Sequence, residues 1–442
     1  MNPSLPSPFE LLRQRRFAPF FWTQFAGAAN DNLFKFAFTV LVTYQLQLSW
    51  LPPELAGLVI GAVFIAPFVL FSATSGQLAD QMEKSALVRT VKNMELAIMA
   101  LAAVGFMLPH ASLQAAVLLL CTFLMGLHST VFGPVKYALL PQALGERELV
   151  AGNALVEGGT FVAILLGNVA GGLLIAWPGT GPAAVAMACL GLAVLGRLAA
   201  HFMPPLPASD AQLRVSWNPW RETRRNLALA REDAVMHATL WGISWLWFFG
   251  AVMLSQFPVL TRQVLHGSEA VASLLLALFS VGIALGALLC ERLSRGRIAL
   301  ALVPLGALGM AVFTIDLSFA LQDLPPALAL DVPRFMAQSA HWRVMADLLL
   351  LSVSAGLYSV PLYAQMQVRS PLTHRARMVA ANNILNALFM VASALICAAL
   401  LAAGLSLTGL ILLLGLAHLA VLALLCVRMP ELLRPLGAWW RG

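Results

Sequence analysis

Charge is what this sequence has least of. Asp, Glu, Lys and Arg make up 11% of its 442 residues, against about 25% in soluble proteins, which excludes an ordinary soluble domain. Cysteine is scarce too. The five present (Cys121, Cys189, Cys290, Cys397 and Cys426) all fall in apolar runs with no CxxC spacing. That excludes a disulfide framework or a thiolate metal site and leaves small buried hydrophobes. Soluble-enzyme signatures are missing: there is no P-loop, dinucleotide fingerprint, zinc-binding His pair or nucleophile elbow. The chain is therefore read as a non-enzyme with no metal or cofactor. The first 16 residues carry Pro3, Pro6, Arg13, Arg15 and Arg16 but no short apolar core or small-residue cleavage site, so the first span is expected to be retained.

Apolar length is abundant. The chain is 60% hydrophobic with a mean hydropathy of +0.83, and at ~20 residues per span it has room for about a dozen. Apolar segments run 17–46, 54–79, 87–108, 112–140, 149–177, 181–203, 235–263, 268–291, 298–320, 344–368, 377–403 and 406–428. Twelve spans put both termini on one side. The termini and alternate loops carry most of the basic residues, among them Arg13, Arg15, Arg16, Lys84, Arg89, Lys92, Arg147, Arg292, Arg377, Arg428 and Arg441, while the opposite loops hold little beyond Arg262, Arg334 and Arg343. The positive-inside rule then places both termini in the cytoplasm. It also explains the net charge of +7 without nucleic-acid binding.

The widest cytoplasmic interruption, 204–234, divides the chain into an N-terminal half (1–203) and a C-terminal half (235–442). It holds Pro204, Pro205, Pro207 and Pro219, then Arg221, Arg224 and Arg225. Its Arg-rich part is expected to be either an interfacial helix on anionic lipid or a solvated linker. A second long loop, 321–343, is external. The halves repeat: Glu148 to Asn153 opens the fifth span as Arg377 to Asn382 opens the eleventh, and Gly126-Leu127-His128-Ser129 aligns with Gly356-Leu357-Tyr358-Ser359. The expected fold is an all-α membrane protein of twelve transmembrane helices in two parallel six-helix repeats, the architecture of the major facilitator superfamily.

Polar residues inside spans mark function, because an ionisable group at bilayer depth costs at least roughly 2.5–3.5 kcal/mol. The first span holds Asn30-Asp31-Asn32 and, one turn later, Lys35. Asp31 and Lys35 are expected to pair with each other and to separate around a zwitterionic group; a permanent pair is the structural alternative. The fourth span contributes Lys136, which either snorkels to the interface or receives a phosphate. In the fifth, Asn153, Glu157 and Thr160 share one helix face above a run of glycines suited to close packing. In the second half Asn386 stands where the first has Glu157, and Met366 near where it has Lys136. One polar and one greasy wall suit an amphiphile. Of the histidines, His128 and His418 lie deepest; either can relay protons, though an internal hydrogen bond is the simpler reading.

Gly76-Gln77-Leu78-Ala79-Asp80 with Glu83-Lys84 resembles the superfamily loop in which an Asp caps and latches a neighbouring helix; Gln81 replaces the usual basic residue, leaving Lys84 and Arg89 as substitutes. Asn30-Asp31-Asn32-x-x-Lys35, Gly133-Pro134-Val135-Lys136-Tyr137, Asn153-x-x-x-Glu157, the run Gly242 to Ala251 with Ser255-Gln256, and Ala380-Ala381-Asn382-Asn383-Ile384-Leu385-Asn386 together resemble the bacterial lysophospholipid transporter family, especially its acyltransferase-fused form. Pro430 to Arg434 resembles the start of that junction, and the chain ends at Gly442, so any acyltransferase partner is expected to be a separate polypeptide. The resemblance implies movement of lysophosphatidylethanolamine or lysophosphatidylglycerol across the bacterial inner membrane, among membrane lipids, for re-acylation inside. Asp31, Asn32, Lys35, Lys136, Glu157, Gln256, Asn382 and Asn386 are the candidate substrate contacts. Asp80, Lys84, Arg147, Arg292 and Arg377 are candidate cytoplasmic gate residues. Two readings compete: a proton-coupled drug or metabolite exporter of the same fold, and a non-transporting scaffold for an acyltransferase, for which neutralising the core charges would leave function intact.

Overall fold

Each apolar run folds as one long helix. In chain order these are α1 (Ala18–Val40), α2 (Pro53–Gln81), α3 (Lys84–Phe106), α4 (Ala111–Ala143), α5 (Glu146–Ile175) and α6 (Gly181–His201), then α8 (Ala234–Gln263), α9 (Glu269–Ser294), α10 (Leu302–Ala320), α12 (Ser339–Arg369), α13 (Arg375–Ala402) and α14 (Leu407–Arg428). Two shorter helices, α7 (Pro219–Glu232) and α11 (Val332–Ala337), lie between spans. This computed structural model describes residues 8–46, 48–51, 53–295, 297–322, 324 and 330–434. Pro3, Pro6, Arg441, Gly442 and part of the 321–343 loop, named above, lie outside the described residues.

The helix boundaries follow local chemistry. Pro19 sits in the first turn of α1, where its missing N–H is no loss. Glu83 caps α3 by accepting from the Ser85 and Ala86 N–H groups, Asp233 caps α8 through Val235 and Met236, and Ser406 caps α14 through Gly409. Such caps satisfy orphan N–H groups that a helix end would otherwise leave bare. Among the described residues, ten helices are long and apolar enough to cross a membrane by length and composition. The other two long helices, α1 and α3, fall short because they carry Asn30, Asp31, Asn32 and Lys35, and Lys92, Asn93 and Glu95.

The packing has two-fold symmetry. In the first half α1 packs on α5 and α6, α2 on α4, and α3 on α4 and α6. In the second, α8 packs on α13 and α14, α9 on α12, and α10 on α12 and α14, the same set six spans later. Between halves α5 packs on α9 and α2 on α13, which is again one contact repeated with its partners exchanged. The α1–α5 seam depends on glycine. A Cβ at Gly167 would lie 2.4 Å from the Ala29 carbonyl oxygen, and one at Gly171 2.5 Å from that of Leu33, so no larger residue fits without parting the helices.

The interruption at 204–234 is partly helical. Asn218 and Pro219 start α7, whose Glu222, Asn226 and Ala230 are buried against α2, α8 and α13, with Trp217 and Trp220 exposed. The stretch before it crosses the terminal ends of α2 and α3 as a strap. The Ser209 and Asp210 N–H groups donate to the Asp80 carbonyl, Ser216 donates to Gln77 Oε1 at 2.9 Å, and Gln81 donates to the Leu213 carbonyl at 2.8 Å. The Glu83 carboxyl also accepts from the Leu206 N–H. Burial pushes its pKa up, but the Leu206, Ser85 and Ala86 N–H groups and Arg89 outweigh that and hold it below the usual carboxylate range.

Candidate functional site

Where the halves meet, a cavity of about 1900 Å³ runs from the level of Lys136 and Tyr137 to the helix ends farthest from the termini, at Tyr44, Gln45, Ala176, Arg262 and Ser268. Pockets for drug-sized ligands measure roughly 300–1,000 Å³, so this space accommodates something larger. Its two walls differ. Its mid-depth ionisable residues Asp31, Lys35, Lys136 and Glu157 all come from the first half, beside apolar Phe36, Val169 and Leu173; the second half presents Leu254, Phe257, Leu276, Ala387 and Met390, with Arg262 and Ser268 at the mouth and Asn383 and Asn386 deeper.

Asp31 and Lys35 both face the cavity but are not paired with each other. Ser129 of α4 donates to Asp31 Oδ2 at 2.7 Å, and Lys35 Nζ lies 3.9 Å from the centre of the Phe64 ring on α2. The expected i,i+4 ion pair gives way to two tertiary contacts, since an aromatic face attracts a desolvated ammonium by ~2 kcal/mol. Lys136 does not snorkel. Its ammonium donates to Thr160 Oγ1 at 3.0 Å, and Thr160 in turn meets Gln24 Oε1 at 3.0 Å.

The terminal side of the cavity is closed by three layers of contacts between the halves. The first is aromatic: Tyr137 and Tyr363 stack with ring centres 4.8 Å apart and planes 8° from parallel. Tyr137 donates to Glu157, and Trp247 donates to Tyr363 at 2.9 Å. Below it, Asn153 and Gln367 exchange two hydrogen bonds, each 2.9 Å. Outermost, Asp80 Oδ2 pairs with Arg377 Nε at 3.1 Å while its Oδ1 accepts from the Ala376 N–H, so the α2 carboxylate caps and latches α13 as the loop motif implies. A Cβ at Gly76 would stand 2.7 Å from that of Ala380, which makes the glycine essential to this close approach.

Several expected residues stand elsewhere. Gln256 is off the cavity, beside Val259, Gln263, Leu401 and Leu405, because Leu254, Phe257 and Thr261 claim the inward face of α8. Asn382 is fully buried behind the floor, one turn before Asn386, whose amide meets Ser244 of α8 at 2.8 Å. Lys84 ties the strap, donating to Ser209 Oγ at 2.8 Å, and Arg89 pairs with Glu83. Arg147 and Arg292 are exposed and do not join the Asp80–Arg377 latch.

Lys92 is the largest revision. It is not a loop residue but sits in α3, fully buried, with Nζ 2.5 Å from Glu95 Oε2. Asn30 donates to Glu95 Oε1 at 2.7 Å, and His128 Nε2 lies 3.3 Å from Oε2. Two opposite charges three residues apart inside the 87–108 span were the available signal. Gln24, Tyr363 and Gln367 carry no such signal, being single polar or aromatic residues in a span, and Tyr137 stands out in the sequence only within the Gly133–Tyr137 motif.

The family model described as Major Facilitator Superfamily matches residues 20–394. Among curated relatives, a protein named lysophospholipid transporter LplT from Serratia proteamaculans is 29% identical over 376 residues, covering 84% of each chain. Its namesake from Yersinia pestis is 29% identical over 353 residues, covering 78% of this chain and 77% of its own. Among solved structures, the human organic anion transporter MFSD10 superposes with a TM-score of 0.70 at 14% identity, over 93% of this chain and 99% of its own. With twelve long helices among the described residues, in two repeats around a central cavity, and a family match across most of its length, this multi-pass membrane protein belongs to the Major Facilitator Superfamily, a family of transporters rather than enzymes.

Proposed function

We propose that this protein carries lysophospholipids across the bacterial inner membrane, from the periplasmic to the cytoplasmic leaflet, for re-acylation inside. The observation that carries this reading is the unequal cavity. Its polar wall offers Asp31 to a headgroup ammonium and Lys35 or Lys136 to a phosphate. Phe36, Val169, Leu173 and Leu254 are apolar, exposed and part of its lining, a surface suited to an acyl chain. A headgroup cannot cross hydrocarbon without polar partners, and the tail has no need to leave an apolar surface. The named relatives support the same substrate class.

In this reading the termini are cytoplasmic and the cavity opens to the periplasm. Residues 1–203 and 235–442 rock about it, joined by 204–234. The Asp80–Arg377 latch opens as the opposite side closes. Lysophosphatidylethanolamine or lysophosphatidylglycerol is the substrate, and the acyltransferase, where one is used, is a separate chain. Uptake of labelled lysolipids with different headgroups by spheroplasts, with and without an uncoupler, tests this. Inward accumulation supports the proposal. Outward movement that collapses with the uncoupler would instead mark a proton-coupled exporter.

A further inference from the structure

The helix between the two halves takes no part in that reading, yet it has two unlike faces. In α7 the residues Glu222, Asn226 and Ala230 recur every four positions and turn one face into the protein, against α2, α8 and α13. The opposite face carries Trp220, Arg221, Arg224 and Arg231, all exposed, with Glu232 as its acidic residue. Trp217, just ahead of the helix, is 76% exposed and Trp220 67%. Arg225 is exposed too, but its Nη1 lies 4.0 Å from Glu222 Oε2, so its charge is partly met inside the protein. A solvated linker has no use for two bare indoles. Indole and guanidinium side by side suit the boundary between lipid headgroups and hydrocarbon, where the ring lies at headgroup depth and the cation meets phosphates. The helix is held at that boundary, because Asp233 follows Glu232 directly and caps the membrane span α8.

We propose that the arginine face of α7 binds anionic headgroups of the leaflet on the terminal side, and that this contact holds the terminal gate shut. α7 lies across α2 and α13, the two helices that the Asp80–Arg377 pair latches. The Ser216 N–H, one residue before Trp217, donates to Gln77 Oε1 at 2.9 Å, and Gln77 stands one turn before Asp80 in α2. Opening the terminal side parts α2 from α13, so α7 cannot then keep both neighbours and its seat on the lipid. Anionic lipid under its arginines therefore favours the closed gate. This coupling does not depend on which substrate is carried.

A natural reporter of the gate is Cys290, fully buried where Val150 and Ala154 of α5 pack on α9 and α12, so that solvent reaches it when the halves part there. Its alkylation, followed by peptide mass spectrometry, is compared in nanodiscs of phosphatidylcholine alone and with phosphatidylglycerol added. Wild type is expected to react more slowly with phosphatidylglycerol, by at least about fivefold, the ratio that one arginine at an anionic surface supplies. Raising the salt should shrink that ratio, since exposed charges are screened. Arg221→Gln with Arg224→Gln should abolish it, and Trp217→Ser with Trp220→Ser should weaken it; all four side chains are exposed, so the fold is kept. Equal wild-type rates in the two lipids would overturn the proposal and leave this face to a protein partner. A lipid effect that survives both the arginine variant and high salt would overturn it as well, placing the lipid contact elsewhere.

Discussion

Ser129 and Phe64 decide what Asp31 and Lys35 do: Ser129 donates to the Asp31 carboxylate and the Phe64 face takes the Lys35 ammonium, so the two side chains turn to tertiary partners rather than to each other. The same competition holds at the cavity floor. Tyr137 gives its hydroxyl to Glu157, so Tyr137→Phe leaves a buried carboxyl without its donor, a loss of about 1–3 kcal/mol. The expected result is a lower thermal unfolding midpoint together with reduced uptake, and a midpoint equal to wild type would remove the tyrosine from the floor. Gly167→Leu should be worse for folding than for chemistry. A Cβ 2.4 Å from a backbone oxygen forces α1 and α5 apart, at ~1–3 kcal/mol for overpacking, read as lost expression and a lowered midpoint. Glu83 sets a pH limit. Its folded-state pKa lies below its unfolded value, so its stabilisation is complete above the ordinary carboxylate range and is lost as pH falls through the folded pKa. Amide exchange at Ser85, Ala86 and Leu206 should therefore accelerate in acid, and Glu83→Gln should flatten that dependence.

At the scale of elements, α2 and α13 are joined on the terminal side by one carboxylate. Breaking a buried pair by removing one partner typically costs about 3–5 kcal/mol, although here Arg377 keeps the Thr373 carbonyl as a second acceptor at 2.7 Å. Asp80→Asn is thus expected to open the terminal side. A cysteine placed at Leu276, which lines the cavity, should react faster with an impermeant thiol reagent applied from the terminal face. No change in that rate would show that the aromatic and amide layers hold the gate alone.

The elements themselves were legible because each apolar run is one span long, with Pro, Gly and capping polar residues between. All twelve segments correspond to long helices, and the repeat between Glu148 to Asn153 and Arg377 to Asn382 appears as the openings of α5 and α13. The site was legible where polar residues interrupt an apolar span. Asp31, Asn32, Lys35, Lys136, Glu157 and Asn386 line the cavity, so two amides were legible beside the charges, but Gln256 faces away and Arg147 and Arg292 are exposed. Which face of a helix turns inward is set by tertiary packing, and in a span with little polar patterning the sequence carries almost no record of it. Lys92 shows the opposite failure. Its charge counts as a loop mark in a positive-inside reading, although Glu95 one turn on is a partner that lets both be buried.

For the whole molecule, the first-half ionisable residues, a closed terminal side and an Asp31 and Lys35 that do not pair with each other support the proposed account, in which a zwitterionic headgroup is gripped by those two charges. The direct measurement is lysophosphatidylethanolamine uptake by proteoliposomes containing wild type, Asp31→Asn or Lys35→Met protein, each reconstituted to the same amount of folded transporter. The account requires uptake in wild type and a loss of roughly tenfold or more in each variant, as for a contact worth at least ~1.4 kcal/mol. Uptake at the wild-type rate in both variants would contradict it.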